Sequence, residues 1–196
     1  MQKNEDISVI ILAAGFSERM KTHKTELSFD SNRNFFQKIT EEYIQFNCKT
    51  IIAVLNQSNF NSLMRTGIKL SGKIKIIINE HPEKGKFYSL KTGAEAIDEN
   101  SLTFIQNIDN PFVNQNILHL LKDNSGTADY IIPSYNKKGG HPILISAKMI
   151  NAIKNEVKDA VNMKTFFNNF KKYYIPANDE KILININTVS DYDFYF

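Results

Sequence analysis

Cysteine is nearly missing from this 196-residue chain: Cys48 stands alone, which excludes an intramolecular disulfide. Runs of like charge are missing as well. The 24 basic and 21 acidic side chains are interspersed and the net charge is only +3, so no tail suited to nucleic acid is expected. Nor is there a long apolar run. The polar opening MQKNED leads into about seven apolar residues, too few for a signal-peptide core or for a membrane span of about 20. These absences predict a cytoplasmic protein with neither a membrane nor a nucleic acid as partner. No repeat, low-complexity linker or composition break divides the chain, which reads as one domain over residues 1–196.

Several catalytic signatures are absent too. A dinucleotide-binding turn needs G-x-G-x-x-G and a P-loop needs G-x-x-x-x-G-K-[ST]; neither occurs. His23, His81 and His119 are scattered without metal-ligand spacing. No Ser-His-Asp arrangement suggests a covalent nucleophile.

What is present is an alternation. Ile7 to Ala13, Thr50 to Leu55, Ile74 to Ile78 and Leu102 to Ile108 are near-continuous apolar runs, as expected of strands covered on both faces. Between and after them, 35–46, 89–97 and 114–122 carry helical spacing, the last with Asn114 as its cap. Beyond Tyr130, DYIIPSYNKKGGHPILI predicts two short strands around a lysine and glycine turn, an antiparallel excursion. Helices over 146–157 and 160–170 and a strand near 181–185 complete the reading. Phe166, Phe167 and Phe170 share a helical face and are expected in the core. The class is α/β with a mostly parallel sheet.

Ligands of such sheets sit beyond the carboxyl ends of the strands. Three of these ends carry polar chemistry: the 13–24 loop, Asp109, and Asn185 to Thr188. In the first, VIILAAGFSERM (9–20), a buried strand ends in Ala13, Ala14 and Gly15, followed by Ser17, Arg19 and Lys24. Small residues let a ligand approach the backbone amides, and two cations neutralise phosphate charge.

The order of residues from Leu12 to Lys24, L-A-A-G-x-S-x-R-M-x-x-x-K, resembles the signature loop of the MobA-like NTP transferases. The likeness continues in order through GKFYSLKTGAEAI (85–97), NIDNPFV (107–113), GGHPILI (139–145) and ININT (184–188). The chain departs from the family pattern at Lys21, TELSF (25–29), Asn107-Ile108 and Val189-Ser190. The resemblance implies a Rossmann-like, three-layer α/β/α fold of the nucleotide-diphospho-sugar transferase type. It implies a Mg²⁺-dependent transfer of NMP from CTP or GTP to the phosphate of a small-molecule acceptor, with molybdopterin of molybdenum-cofactor biosynthesis first in line. The G-H-P stretch favours CTP, and the Asn-bearing closing element leans to GTP. Another phosphorylated alcohol or sugar is the alternative acceptor, and a nucleotide-binding accessory protein without transfer is the alternative from a different class.

By the same resemblance, Leu12, Ala13, Ala14, Gly15 and Ser17 hold the base and phosphates. Arg19 and Lys24 bind the triphosphate, and Asp109 holds the metal with Asn187 as a neutral second contact. Ser89 either meets the base or caps its helix. His141 is expected at the acceptor pocket.

Overall fold

A computed structural model of the chain describes residues 6–16, 18–20, 22–158 and 161–196. Strand β1 (Ile7–Ala13) lies at the centre of the sheet and shows how the layers arise. Val9, Ile11 and Ala13 enter one buried cluster, while Ile10 and Leu12 enter a second on the opposite face. With both faces covered, alternation in sequence disappears and the strand reads as one apolar run. Strands β2 (Thr50–Leu55) and β3 (Ile74–Ile78) extend the sheet in parallel on one side of β1, and β4 (Leu102–Asn107) pairs with its other side, also in parallel. Beyond β4 lie β5 (Tyr130–Tyr135), β6 (Lys138–Gly139), β7 (Ile143–Ile145) and β8 (Lys172–Pro176). Among the described residues the order is β3-β2-β1-β4-β7-β5-β6, with β8 parallel to β5. The β4–β7, β7–β5 and β5–β6 pairs are antiparallel, which is the expected excursion.

The helices are α1 (Phe35–Gln45), α2 (Gln57–Arg65), α3 (Lys86–Ala94), α4 (Gln115–Asp123), α5 (Ala147–Asn155), α6 (Met163–Phe167) and α7 (Val189–Tyr195). One face of the sheet is covered by α1, α2 and α4 through Phe35, Ile39, Leu63 and Leu118. The other is covered by α3, α5 and α6 through Leu90, Ile150, Phe166 and Phe167. This is a three-layer α/β/α architecture of the nucleotide-diphospho-sugar transferase type. Each fully buried side chain of this size contributes about 1.5–3 kcal/mol. The start of α1 is set locally: Asn34 Oδ1 accepts from Gln37 N at 2.8 Å while Gln37 Oε1 accepts from Asn34 N at 2.9 Å. Helix α3 approaches the sheet closely, because a Cβ on Gly93 would lie 2.6 Å from Ile10 Cγ2.

The structure corrects four expectations. Residues 181–185 do not form a strand: Glu180–Leu183 is a 3₁₀ turn, and the strand is β8, nine residues earlier. The Ile182 carbonyl meets the His141 N–H and the Asn110 amide instead of a ladder partner. Helix α3 starts at Lys86 with Gly85 (φ 90°) at its N-cap, so Ser89 lies inside the helix and does not cap it. Strand β4 stops at Asn107, before Ile108. The helices expected over 146–157 and 160–170 are shorter, at Ala147–Asn155 and Met163–Phe167. Helices α2 and α7 were not anticipated at all. Asn114 does cap α4, accepting from Ile117 N at 3.1 Å.

Candidate active site

Strands β1, β2, β3 and β4 end on one side of the sheet, and the segments that follow β1, β3 and β4, together with Asn187, surround a cavity of about 520 Å³. After β1 the chain turns through Ala14 and Gly15 into the 3₁₀ turn Glu18–Met20. The carbonyls of this turn are tied to α2: Asn59 Nδ2 donates to Ala13 O at 2.6 Å and to Gly15 O at 3.0 Å, and Asn56 Nδ2 donates to Ala14 O at 2.8 Å. The peptide planes of the loop are thereby held. Apart from its chain neighbours, a Cβ on Gly15 would meet no atom of the described residues within 4 Å, and its φ is not left-handed. The fold itself does not demand glycine there, so the space beside the backbone is left for something that comes close to it. Met20, 3% exposed, anchors the turn in the core and leaves Arg19 at the cavity wall.

The charges converge from distant parts of the chain. Lys24 Nζ donates to Asn187 Oδ1 at 2.8 Å and lies 3.5 Å from Asp109 Oδ2. Burial lowers the Lys24 pKa, and the neighbouring Asp109 carboxylate opposes that shift. Lys86, at the start of α3, faces the same cavity; desolvation lowers its pKa, with Asp109 acting against and Lys24 adding to the effect. Arg19, Lys24 and Lys86 thus stand against the single carboxylate of Asp109 among the described cavity residues. Such a surplus of positive charge, partly shielded from water, is built for a polyanion of small size.

Asp109 and Asn187 are brought together by the main chain. Ile186 N donates to Asp109 O at 2.7 Å. The fully buried Asn110 gives its side-chain amide to Ile182 O at 3.0 Å and Ile184 O at 2.7 Å. On the other side, Asp191 Oδ2 accepts from both Asn187 N and Thr188 N at 2.9 Å, within the capping box of α7.

Of the residues singled out in the sequence, Leu12, Ala14, Gly15, Arg19, Lys24, Ser89, Asp109 and Asn187 line the cavity. Ala13 lies behind it, buried in the core below its neighbours. Ser17 is outside the described residues. His141 does not line the cavity; its Nε2 pairs with Asn107 Nδ2 at 2.9 Å, and Asn107 forms part of the wall. Burial pushes the His141 pKa down to about 4, Lys86 adding to the shift and Asp109 opposing it, so the ring is neutral at pH 7.

Phe16, Lys86 and Asn107 also line the cavity and were missed. A signal was available for part of this. Asn56, Asn79 and Asn107 stand at the carboxyl ends of β2, β3 and β4, where side chains in this kind of sheet meet the ligand or support those that do.

The model of the MobA-like NTP transferase domain matches residues 9–172. The chain belongs to this family and is a nucleotidyltransferase. No curated protein sequence matches it. Among solved structures it is similar to 4-diphosphocytidyl-2C-methyl-D-erythritol synthase from Anaerococcus prevotii, with a TM-score of 0.74 and 15% identity over 98% of this chain and 97% of that one. Molybdopterin-guanine dinucleotide biosynthesis protein A from Archaeoglobus fulgidus gives 0.70 and 17%, over 96% of both chains. A Mycobacterium tuberculosis protein in complex with manganese gives 0.71 and 16%, over 97% of both. At these identities the likeness establishes the fold. Among the described residues, no helix is long and apolar enough to cross a membrane.

Proposed function

We propose that the cavity binds a nucleoside triphosphate with Mg²⁺ and that the protein transfers NMP from CTP to the phosphate of a small acceptor, molybdopterin first, in the cytoplasm. The observation that carries this reading is Lys24, held between Asn187 and Asp109 in a cavity that Arg19 and Lys86 also line. An acceptor phosphate is already an anion and needs no strong base. One of its oxygens forms a bond to the α-phosphorus, the bond from that phosphorus to the bridging oxygen breaks, and pyrophosphate leaves with the electron pair. Such a step requires positioning and charge cancellation above all. Arg19, Lys24 and Lys86 supply the cations, and the main chain of Ala14 and Gly15 approaches the nucleotide.

The donor set fits a metal ion that arrives with its nucleotide. Asp109 Oδ1 is buried without a partner, and no group of three or more His, Cys, Asp or Glu that could hold a metal ion occurs among the described residues. One carboxylate and the Asn187 amide would hold Mg²⁺, whose other ligands come from phosphate and water. Bound there, Mg²⁺ would neutralise charge on the phosphates. The ammonium of Lys24 has to leave Asn187 Oδ1 for that oxygen to serve.

CTP is preferred on the Gly140-His141-Pro142 stretch, which backs the cavity wall through Asn107. Residues 1–196 act as one catalytic domain in this reading. Pyrophosphate release from CTP, GTP, ATP and UTP, each with molybdopterin and with phosphorylated alcohols and sugars, tests it. Release from CTP with molybdopterin is expected. Preference for GTP moves the protein to the guanylyl branch, and release only with a sugar or alcohol phosphate moves it to another acceptor. Binding of NTP without release under any pairing identifies an accessory protein.

A further inference from the structure

Asn79 follows β3 directly and is 1% exposed, so it does not itself meet a ligand. Its side-chain amide has a single chemically allowed orientation. The main-chain N–H of His81, which can only donate, meets Asn79 Oδ1 at 2.8 Å. The amide nitrogen therefore faces Ser89, with Asn79 Nδ2 2.9 Å from Ser89 Oγ. An amide nitrogen has no lone pair to offer, so Ser89 Oγ accepts this bond with one of its two lone pairs and keeps its own proton uncommitted among the described residues. Ser89 is 5% exposed and is among the residues that line the cavity.

We propose that Asn79 is a positioning residue that turns Ser89 towards donating a hydrogen bond to the nucleotide base. The group of the base that meets Ser89 is then favoured to be an acceptor, a carbonyl oxygen or an unprotonated ring nitrogen, over an exocyclic amine. An amine there would have to use the remaining lone pair and leave the buried hydroxyl proton without an acceptor among the described residues, which carries a penalty. The inference rests on the nucleotide reading above and adds to it the polarity of one contact. The pairing of a buried strand-end amide with a helix hydroxyl thus acts in specificity, at one remove from the ligand.

Asn79→Asp is the near-isosteric test. At pH 8 the introduced carboxylate accepts from both His81 N–H and Ser89 O–H, taking the proton away from the cavity. Affinities are measured by calorimetry for the preferred NTP and for inorganic tripolyphosphate, which has no base. Their ratio removes any general effect of the added charge. The ratio is expected to fall about tenfold in Asn79→Asp, the worth of one such hydrogen bond. Ser89→Ala should lower it equally, Ser89→Thr should restore it, and Asn79→Asp should add nothing to Ser89→Ala. An unchanged ratio in Asn79→Asp overturns the proposal. If that variant does not fold, an unchanged ratio in Ser89→Ala overturns it instead. Wild-type protein that binds no NTP removes the nucleotide reading itself, and this inference with it.

Discussion

Lys24 donates to Asn187 at 2.8 Å across 163 residues of sequence, and the same ammonium faces Asp109 at 3.5 Å. A cation therefore stands where the two proposed metal ligands converge. The protein without nucleotide is prepared for anions before it is prepared for a metal.

From this follows a metal prediction. Nucleotide-free protein should bind Mg²⁺ poorly, because one carboxylate seldom strips water from this ion and Lys24 competes for the same oxygens. Lys24→Met should raise Mg²⁺ affinity in the absence of nucleotide while lowering transfer. Calorimetry with and without a non-hydrolysable NTP checks both. Tight binding by the free wild type would reveal a ligand outside this set.

Arg19 is exposed at the cavity and has no structural load in the core, whereas its neighbour Met20 does. Arg19→Ala should lower transfer by roughly 10²-fold or more, as expected for a preorganised group that stabilises developing charge. Its melting temperature should match wild type. Normal transfer by this variant would remove Arg19 from the site, and loss of folding would make it structural.

The His141 ring, paired with Asn107, makes stability depend on pH. Its folded pKa of about 4 lies below the ordinary value of 6.5, so the unfolded chain binds the extra proton between these limits. The contribution is fully present above about pH 6.5 and is lost progressively as pH falls toward 4, on the order of 3 kcal/mol in all. His141→Gln should flatten this slope in urea unfolding carried out from pH 7.5 to 4.5. Equal slopes in the two proteins would refute the assignment.

Asn110 is fully buried and its amide ties the Ile182 and Ile184 carbonyls to the loop that carries Asp109. Asn110→Ala leaves two carbonyls without that donor and should destabilise the fold by about 2–3 kcal/mol in urea unfolding. It should also reduce transfer, since Asn187 loses its register against Asp109. A variant of wild-type stability would show that water replaces the amide without loss.

Strands β1, β2 and β3 were legible in the sequence to the residue: β1 and β2 because burial on both faces leaves little room for polar side chains, and β3, at the edge of the sheet with Lys75 exposed, through its run of isoleucines. The order of the motif loops was legible for a related reason: in a parallel sheet every strand delivers its carboxyl end to the same side, so polar residues after strands converge. The elements at the margins were not. Helix α2, QSNFNSLMR, buries Asn59 and Ser62 beside Leu63, and its polar residues serve the β1 loop rather than an apolar stripe. Strand β8 exposes Tyr173 and Tyr174 at the edge of the sheet, so it lacks the apolar run that marked its central partners. The apolar stretch at 181–185 reads as a strand until Asn110 and His141 claim its carbonyl at Ile182. Sequence by itself determined the fold class, the loop of Ala14, Gly15 and Arg19, and the candidacy of Lys24, Asp109 and Asn187. Only the tertiary structure decided that Lys86 joins these charges, that His141 stands behind Asn107, and that Asn79 orients Ser89. Local patterns record what each residue prefers, whereas hydrogen-bond direction and charge balance depend on partners that folding brings from elsewhere in the chain.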